Sequence, residues 1–252
     1  VTAFNNSETE TSDGDPAFVV LNAVESGQAV EQLSGDPSLA LWIPEDAVWT
    51  EVLADGGDSS FQNDCVSVAQ SPLVIGMWRE VAEALGWPGL PLGWLDIGSL
   101  AADPAAWDYY SGGALGESFK LGHTHPGLSG SGASTLLAVV QAAESKTEVV
   151  SVADIGQPIV QASVGAFEGG VTWFSSSTQT LAQTMAERGV EYLTAGVMYE
   201  ANVAQLGADD IVAIYPLEGT FVAEFPACIR DSATSAEKEA AVLFRDFLLS
   251  DA

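Results

Sequence analysis

Short apolar runs alternate along the chain with stretches in which apolar residues recur every three or four positions. The runs are bounded by turn residues and predict buried strands. One of them is interrupted at Ser71-Pro72, where proline cannot donate to a sheet ladder, so the strand is expected to change partners there. The predicted strands cover residues 17–24, 40–44, 65–78, 119–123, 211–216 and 219–225.

The stretches with helical spacing lie between these runs. The strongest is 234–249, which opens with a capping box of Thr234 and Glu237 and carries the apolar stripe Ala240, Phe244, Phe247 and Leu248. Helices alternating with strands indicate an α/β architecture with mixed, mostly parallel sheets. The other predicted helices cover 28–33, 46–54, 80–85, 95–102, 129–143, 175–188 and 191–204.

Acidic residues dominate the charge of the chain. Of its 252 residues, 35 are Asp or Glu and 7 are Lys or Arg, which gives a net charge of −28. Such a field repels nucleic acid and anionic lipid, because both require clustered cations. A hydrophobic content of 47% still allows a substantial core. The acids are scattered, which favours compositional bias over a dedicated acidic site.

The two cysteines are far apart in sequence, at Cys65 and Cys228. Their separation excludes a CxxC metal or redox motif. Composition leaves two readings equally open, one long-range disulfide or two buried thiols.

The chemistry of greatest interest lies at the start of the helix 129–143. Ser129, Gly130, Ser131 and Gly132 bring hydroxyls and glycines to a helix N-terminus, where the first N–H groups have no partner within the helix. Together with the positive end of the helix dipole, they predict a site for a ligand rich in acceptors. The alternative is an ordinary serine-capped helix.

Several phrases, in this order, resemble bacterial extracellular solute-binding proteins of ABC transporters, particularly those often fused to von Willebrand A domains. These phrases span nearly the whole chain, and the family's members carry a strand and most of a helix before the equivalent of AFNNSE. The matching phrases are LALWIPEDAVW (39–49), VSVAQSPLVIGM (66–77), EALGWPGLPLGWLDI (83–97), FKLGHTHPGLSGSGASTLLA (119–138), VAIYPLEGTFV (212–222) and AVLFRDFLLS (241–250).

The resemblance implies a two-lobed periplasmic-binding-protein-like fold of type II, with ligand held between α/β lobes joined by two crossover hinge strands. Lobe I would comprise 1–70 and 224–252, and lobe II 71–223. Cys65 and Cys228 would then lie beside the two crossovers on the lobe I side, which favours the disulfide.

Further candidate ligand contacts follow strands, where open α/β sheets bind ligands. They are Ser26 and Gly27 after the first strand, Glu45 after the second, Ser71 at the crossover, and Tyr199 and Tyr215. Glu45 stands where the family usually has a small hydroxyl residue, and a carboxylate there suits an amine, a cation or sugar hydroxyls.

Enzyme and metal readings are weak. The chain has no GxSxG, Walker or HExxH motif, and pairing Ser129 with His123 leaves no identifiable third catalytic group. His123 and His125 alone are poor evidence for a metal site. We therefore expect neither an enzyme, a metal site nor a cofactor.

The leading hypothesis is a monomer that captures a small polar solute, such as an oxyanion, a sugar or an amine, for transport or sensing. Its expected partners are a membrane permease or a fused C-terminal domain, with no nucleic acid. Residues 1–15 lack the pattern of a signal peptide, so a secreted, periplasmic or cell-surface location implies a processed form. The alternative is a surface adhesion or interaction module that keeps the fold without a ligand.

Overall fold

The computed structural model describes residues 1–33 and 39–250. Its helices are, in chain order, α1 (Thr2–Asn5), α2 (Ser26–Leu33), α3 (Val48–Asp55), α4 (Arg79–Ala84), α5 (Trp94–Ala102), α6 (Pro104–Ser111), α7 (Gly130–Glu144), α8 (Val152–Ile155), α9 (Pro158–Gly169), α10 (Thr178–Arg188), α11 (Glu200–Leu206) and α12 (Ser235–Leu249). Its strands are β1 (Leu41–Trp42), β2 (Cys65–Ser67), β3 (Ser71–Trp78), β4 (Leu121–Thr124), β5 (Val171–Ser175), β6 (Ala195–Tyr199), β7 (Ile211–Ile214), β8 (Val222–Ala223) and β9 (Pro226–Ile229).

The chain divides into two compact units, one formed by Val1–Gln70 with Ala223–Ala252 and the other by Ser71–Val222. The chain therefore passes from one unit to the other twice. The expectation of an α/β fold with mixed sheets is confirmed. Whether the units act as the predicted ligand-closing lobes stays a prediction.

The first unit contains a three-stranded antiparallel sheet in the order β1-β9-β2. Both ends of the chain contribute to an aromatic cluster in this unit. The Phe4 ring of α1 contacts Phe244 and Phe247 of α12 edge to face, with centroids 5.1 and 5.4 Å apart. Such edge-to-face pairs add stability beyond the burial of their area.

A disulfide joins Cys65 and Cys228, which lie directly opposite each other on β2 and β9. Their Cα atoms are 4.0 Å apart, slightly closer than the usual range of about 4.4–6.8 Å. The disulfide implied by the family resemblance is confirmed. Both cysteines belong to the first unit.

The second unit contains a sheet in the order β5-β4-β6-β3-β7, with β8 paired to β3. β4 is parallel to both β5 and β6, whereas β3 is antiparallel to both β6 and β7. The alternation of strands and helices predicted mostly parallel sheets, whereas antiparallel pairing is common in the structure. The three parallel strands β5, β4 and β6 lead into α10, α7 and α11, respectively.

Two predicted elements are wrong. Residues 17–24 form no strand, and Phe18, Val20 and Leu21 are exposed. Within the described residues, the backbone of Val20–Val24 has no hydrogen-bond partner, and an apolar run becomes a strand only beside another strand.

The second wrong element is the helix predicted over 191–204. This segment forms buried strand β6 followed by α11. The prediction failed because an apolar run that is buried on both faces shows no periodicity to distinguish a strand from a helix. The predicted helices 129–143 and 234–249 are confirmed as α7 and α12, and Thr234 with Glu237 forms the predicted capping box.

In the described part of the chain, no helix combines the length and apolarity needed to cross a bilayer.

Replacing both cysteines, Cys65→Ser with Cys228→Ser, is expected to lower the free energy of unfolding of the first unit by about 2–5 kcal/mol, because it releases a long covalent loop in the unfolded chain. Hydrogen exchange with peptide-resolved mass spectrometry measures this loss, and peptides of the second unit serve as the internal control. Unchanged protection of β2 and β9 would contradict a stabilising role.

Candidate functional site

Seven of the predicted site residues lie within the second unit at one edge of its sheet. The ends of the parallel strands β4 and β6 lie at this edge, and antiparallel pairing brings the start of β3 and the end of β7 there too. The seven residues lie at strand ends or at the helix starts that follow them: Ser71, Ser129, Gly130, Ser131, Gly132, Tyr199 and Tyr215.

Four hydroxyls form one buried group at this edge, which we call the hydroxyl cluster: Thr124, Ser129, Ser131 and Thr178. The Ser131 Oγ is hydrogen-bonded to the Thr124 Oγ1 at 2.8 Å, the Thr178 Oγ1 at 2.8 Å and the Ser129 Oγ at 3.1 Å. All four residues are at most 4% exposed. Ser131 is therefore the centre of the cluster.

The cluster lies at the N-termini of two helices, α7 and α10. Ser129 is the N-cap residue of α7, yet its side chain makes no capping hydrogen bond and instead contacts Ser131 and Thr178. At α10, the Ser177 side chain caps the helix by accepting from the Thr180 N–H. The positive ends of both helix dipoles are thus close to the cluster.

Close approach of α7 to the end of β4 requires the glycine at position 132. A Cβ there would lie 2.4 Å from the Thr124 carbonyl oxygen and 3.0 Å from the backbone of His125. Real Cβ atoms do not approach backbone atoms so closely, so a side chain would push the helix start away from the strand.

Carboxylates occupy several other helix starts of the second unit. Both oxygens of Glu218 accept hydrogen bonds from the first N–H groups of α5, and Asp103 caps α6. At α8, Asp154 accepts from the N–H of the N-cap residue Ser151 in a capping box. By contrast, the first turns of α7 and α10 contain no acidic residue. The two helix turns that carry the hydroxyl cluster therefore have no carboxylate of their own, although the chain as a whole is acidic.

A second group surrounds the start of α11. The Ser71 Oγ accepts a hydrogen bond from the Ala201 N–H at 3.1 Å, so Ser71 caps this helix. Tyr199 is buried at its N-cap position, and the exposed Tyr215 donates its hydroxyl hydrogen to Glu200. Hydrogen bonding to Glu200, with a smaller contribution from partial desolvation of the phenol, raises the pKa of Tyr215.

The remaining candidates belong to the first unit. Ser26 begins α2 and is buried beside Gly27, and the Ser26 Oγ accepts from the Glu45 N–H at 3.1 Å. The Glu45 carbonyl in turn accepts from the N–H groups of Glu224 and Phe225. Ser26 and Glu45 thus stabilise the same turn of the first unit.

Neither Thr124 nor Thr178 is among the residues that the sequence predicted for the site. A signal for Thr178 exists, since the phrase WFSSST repeats the order of strand, serine-rich turn and helix found at β4 and α7. No group of three or more His, Cys, Asp or Glu side chains in the described ranges is arranged to hold a metal.

The sequence profile described as bacterial extracellular solute-binding protein matches residues 2–252. The chain belongs to this family. A comparison with curated proteins finds no match.

Solved structures with this fold include a periplasmic binding protein and a sulfate-binding protein. The periplasmic binding protein AfuA from Actinobacillus pleuropneumoniae, with fructose-6-phosphate bound, aligns with a TM-score of 0.65 at 16% identity over 99% of this solute-binding protein and 74% of AfuA. The sulfate-binding protein SubI from Mycobacterium tuberculosis aligns at 0.66 and 16%, over 99% and 77%. Iron-bound HitA from Pseudomonas aeruginosa aligns at 0.62 and 16%, over 99% and 76%. At these identities the likeness establishes the fold.

Gly132→Ala is expected to destabilise the second unit by about 1–3 kcal/mol, because the new methyl group overlaps the Thr124 carbonyl. Gly165→Ala on α9 is the matched control, since a Cβ there meets nothing within 4 Å, and alanine should stabilise a helix interior by about 0.5–1 kcal/mol. Chemical denaturation measures both. Equal effects at the two positions would contradict the close approach.

Glu200→Gln is expected to lower the pKa of Tyr215, because the acceptor that holds the phenol proton loses its charge. Ultraviolet titration of tyrosinate measures the shift, and Tyr215→Phe identifies which step belongs to this residue. An unchanged titration curve would show that Glu200 does not control Tyr215.

Proposed function

We propose that this solute-binding protein captures a small polar solute and that the hydroxyl cluster supplies its contacts in the second unit. One observation carries the proposal: four buried hydroxyls converge at the N-termini of α7 and α10. Hydroxyls that bond one another can turn toward a ligand, because each is both donor and acceptor. Gly130 and Gly132 would allow the ligand to approach the backbone of α7.

An oxyanion or a phosphorylated sugar is the class that fits this cluster best. Helix N-termini and hydroxyl donors stabilise negative charge on oxygen. Two of the structural relatives, AfuA and SubI, are named with fructose-6-phosphate and sulfate, which supports the same class. Sugars and amines stay as alternatives. Direct contact with the solute stays a prediction for six further residues: Ser26, Gly27, Glu45, Ser71, Tyr199 and Tyr215.

We propose further that the protein is not an enzyme. The imidazole of His123 contacts the Thr124 carbonyl and Glu168, whereas the Ser129 hydroxyl contacts Ser131 and Thr178. The two groups of the conceivable serine–histidine pair are therefore engaged with different partners.

Membership of an extracellular family supports a secreted, periplasmic or cell-surface location. Delivery to a membrane permease, action as a monomer, fusion to a von Willebrand A domain and closure of two lobes on the solute stay predictions.

A thermal-shift panel of sulfate, phosphate, sugar phosphates, neutral sugars, amines and divalent cations tests the proposed solute class. A ligand at about 100 times its dissociation constant should stabilise the folded state by about 2.7 kcal/mol. We expect a shift with an oxyanion or a sugar phosphate. A shift with amines alone would overturn that class, and no shift at all would favour the interaction-module alternative.

For a ligand found in this way, Ser129→Ala with Ser131→Ala should weaken affinity by about tenfold or more, because charged acceptors lose two donors. Isothermal titration calorimetry measures the change. Ser99→Ala on α5 is the control, since Ser99 is exposed and bonded to its own helix. Equal affinity of the double variant and the control would remove the cluster from the binding site.

A further inference from the structure

A buried histidine borders the hydroxyl cluster without belonging to it. His123 lies on β4 immediately before Thr124 and is 0% exposed. Its Nδ1 is 2.7 Å from the Thr124 carbonyl oxygen, and its Nε2 is 2.9 Å from a carboxylate oxygen of Glu168 on α9. The ring also packs edge to face on Phe174, with centroids 4.9 Å apart.

The partners of the ring define where its protons are. A carbonyl oxygen only accepts, so the Nδ1 carries a hydrogen and donates it to Thr124. Between the Nε2 and the Glu168 oxygen, one proton is needed, because otherwise a nitrogen lone pair would face a carboxylate. His123 and Glu168 thus share one proton, whichever of them holds it.

The carbonyl that accepts from His123 belongs to Thr124, a member of the hydroxyl cluster. The hydroxyl of the same residue, Thr124, bonds Ser131 at 2.8 Å. The carbonyl oxygen itself lies against Gly132 in the first turn of α7. A carbonyl released there would be a free acceptor beside a helix N-terminus, where it would compete with a solute for the same donors.

We propose that His123 is the positioning residue of the solute site and that the proton it shares with Glu168 regulates that site. This inference rests on the proposed function. Loss of the proton sets the Nε2 lone pair against the Glu168 carboxylate, the ring moves, and the Thr124 carbonyl is no longer held. Affinity for the solute therefore falls as the pH rises. The titratable groups facing the ring are Glu168 and, on the other side of Phe174, His125.

Glu168→Gln separates regulation from mere structure. The glutamine amide donates to the Nε2 of a neutral imidazole, so the contact no longer requires a shared proton. With inorganic sulfate as the probe, wild-type affinity should fall about tenfold or more between about pH 5 and 9. The Glu168→Gln variant should lose this dependence, whereas Glu187→Gln on the exposed face of α10 should retain it.

Two substitutions at the histidine test positioning. His123→Leu removes the donor to Thr124 and should weaken sulfate binding about tenfold or more at every pH. His123→Asn places an amide donor near the position of the Nδ1 and should restore part of that loss. Equal pH profiles for the wild type and Glu168→Gln would overturn the regulation, and equal affinities for the wild type and His123→Leu would overturn the positioning role.

A measurement without ligand keeps this inference distinct from the proposed function. Hydrogen exchange of the amides of residues 125–132 reports on the turn between β4 and α7. At one fixed pH, His123→Leu should raise their exchange about tenfold or more, and Glu168→Gln should protect them better than the wild type above about pH 8. If the wild type binds no sulfate, the proposed oxyanion class fails, and these exchange rates still decide the role of His123.

Discussion

Parallel pairing of β4 with β5 and β6 is the constraint that assembles the hydroxyl cluster. Because the three strands run in one direction, their carboxyl ends share one edge, and each leads into a helix. Two helix N-termini and four hydroxyls from segments far apart in sequence thereby meet within hydrogen-bonding distance. The absence of a side chain at Gly132 allows α7 to begin so close to β4.

Charge placement complements this geometry. In a chain with a net charge of −28, a helix N-terminus readily attracts a carboxylate of the same protein, as Glu218 illustrates at α5. The first turns of α7 and α10 hold serine, threonine and glycine instead. Hydroxyls satisfy one another without introducing charge, so no carboxylate in the first turn neutralises the positive end of either helix dipole. Because the hydroxyl cluster is buried, a hydroxyl without a hydrogen-bond partner would be costly. The orientation of Thr124 therefore affects the stability of the whole cluster.

The sequence was informative where the determining interactions are local. The capping box of Thr234 and Glu237 and the amphipathic stripe predicted α12, and the serine- and glycine-rich turn predicted the start of α7. Long-range pairing was harder to infer. Residues 17–24 have the composition of a strand but no strand beside them, and β6 was mistaken for a helix. Thr178 and Glu168 reach the site from segments 47 and 45 residues distant from their partners, and no local pattern encodes those contacts. The disulfide was expected because the family resemblance implied its topology.

That disulfide also alters the covalent connectivity of the protein. The two cysteines are separated by 163 positions, and every residue of the second unit lies between them. A protease that cuts any one peptide bond of the second unit therefore opens a ring but releases no fragment while the bridge is intact. A single nick would add only one water to the mass, and the disulfide would hold the two pieces together until a reductant separated them.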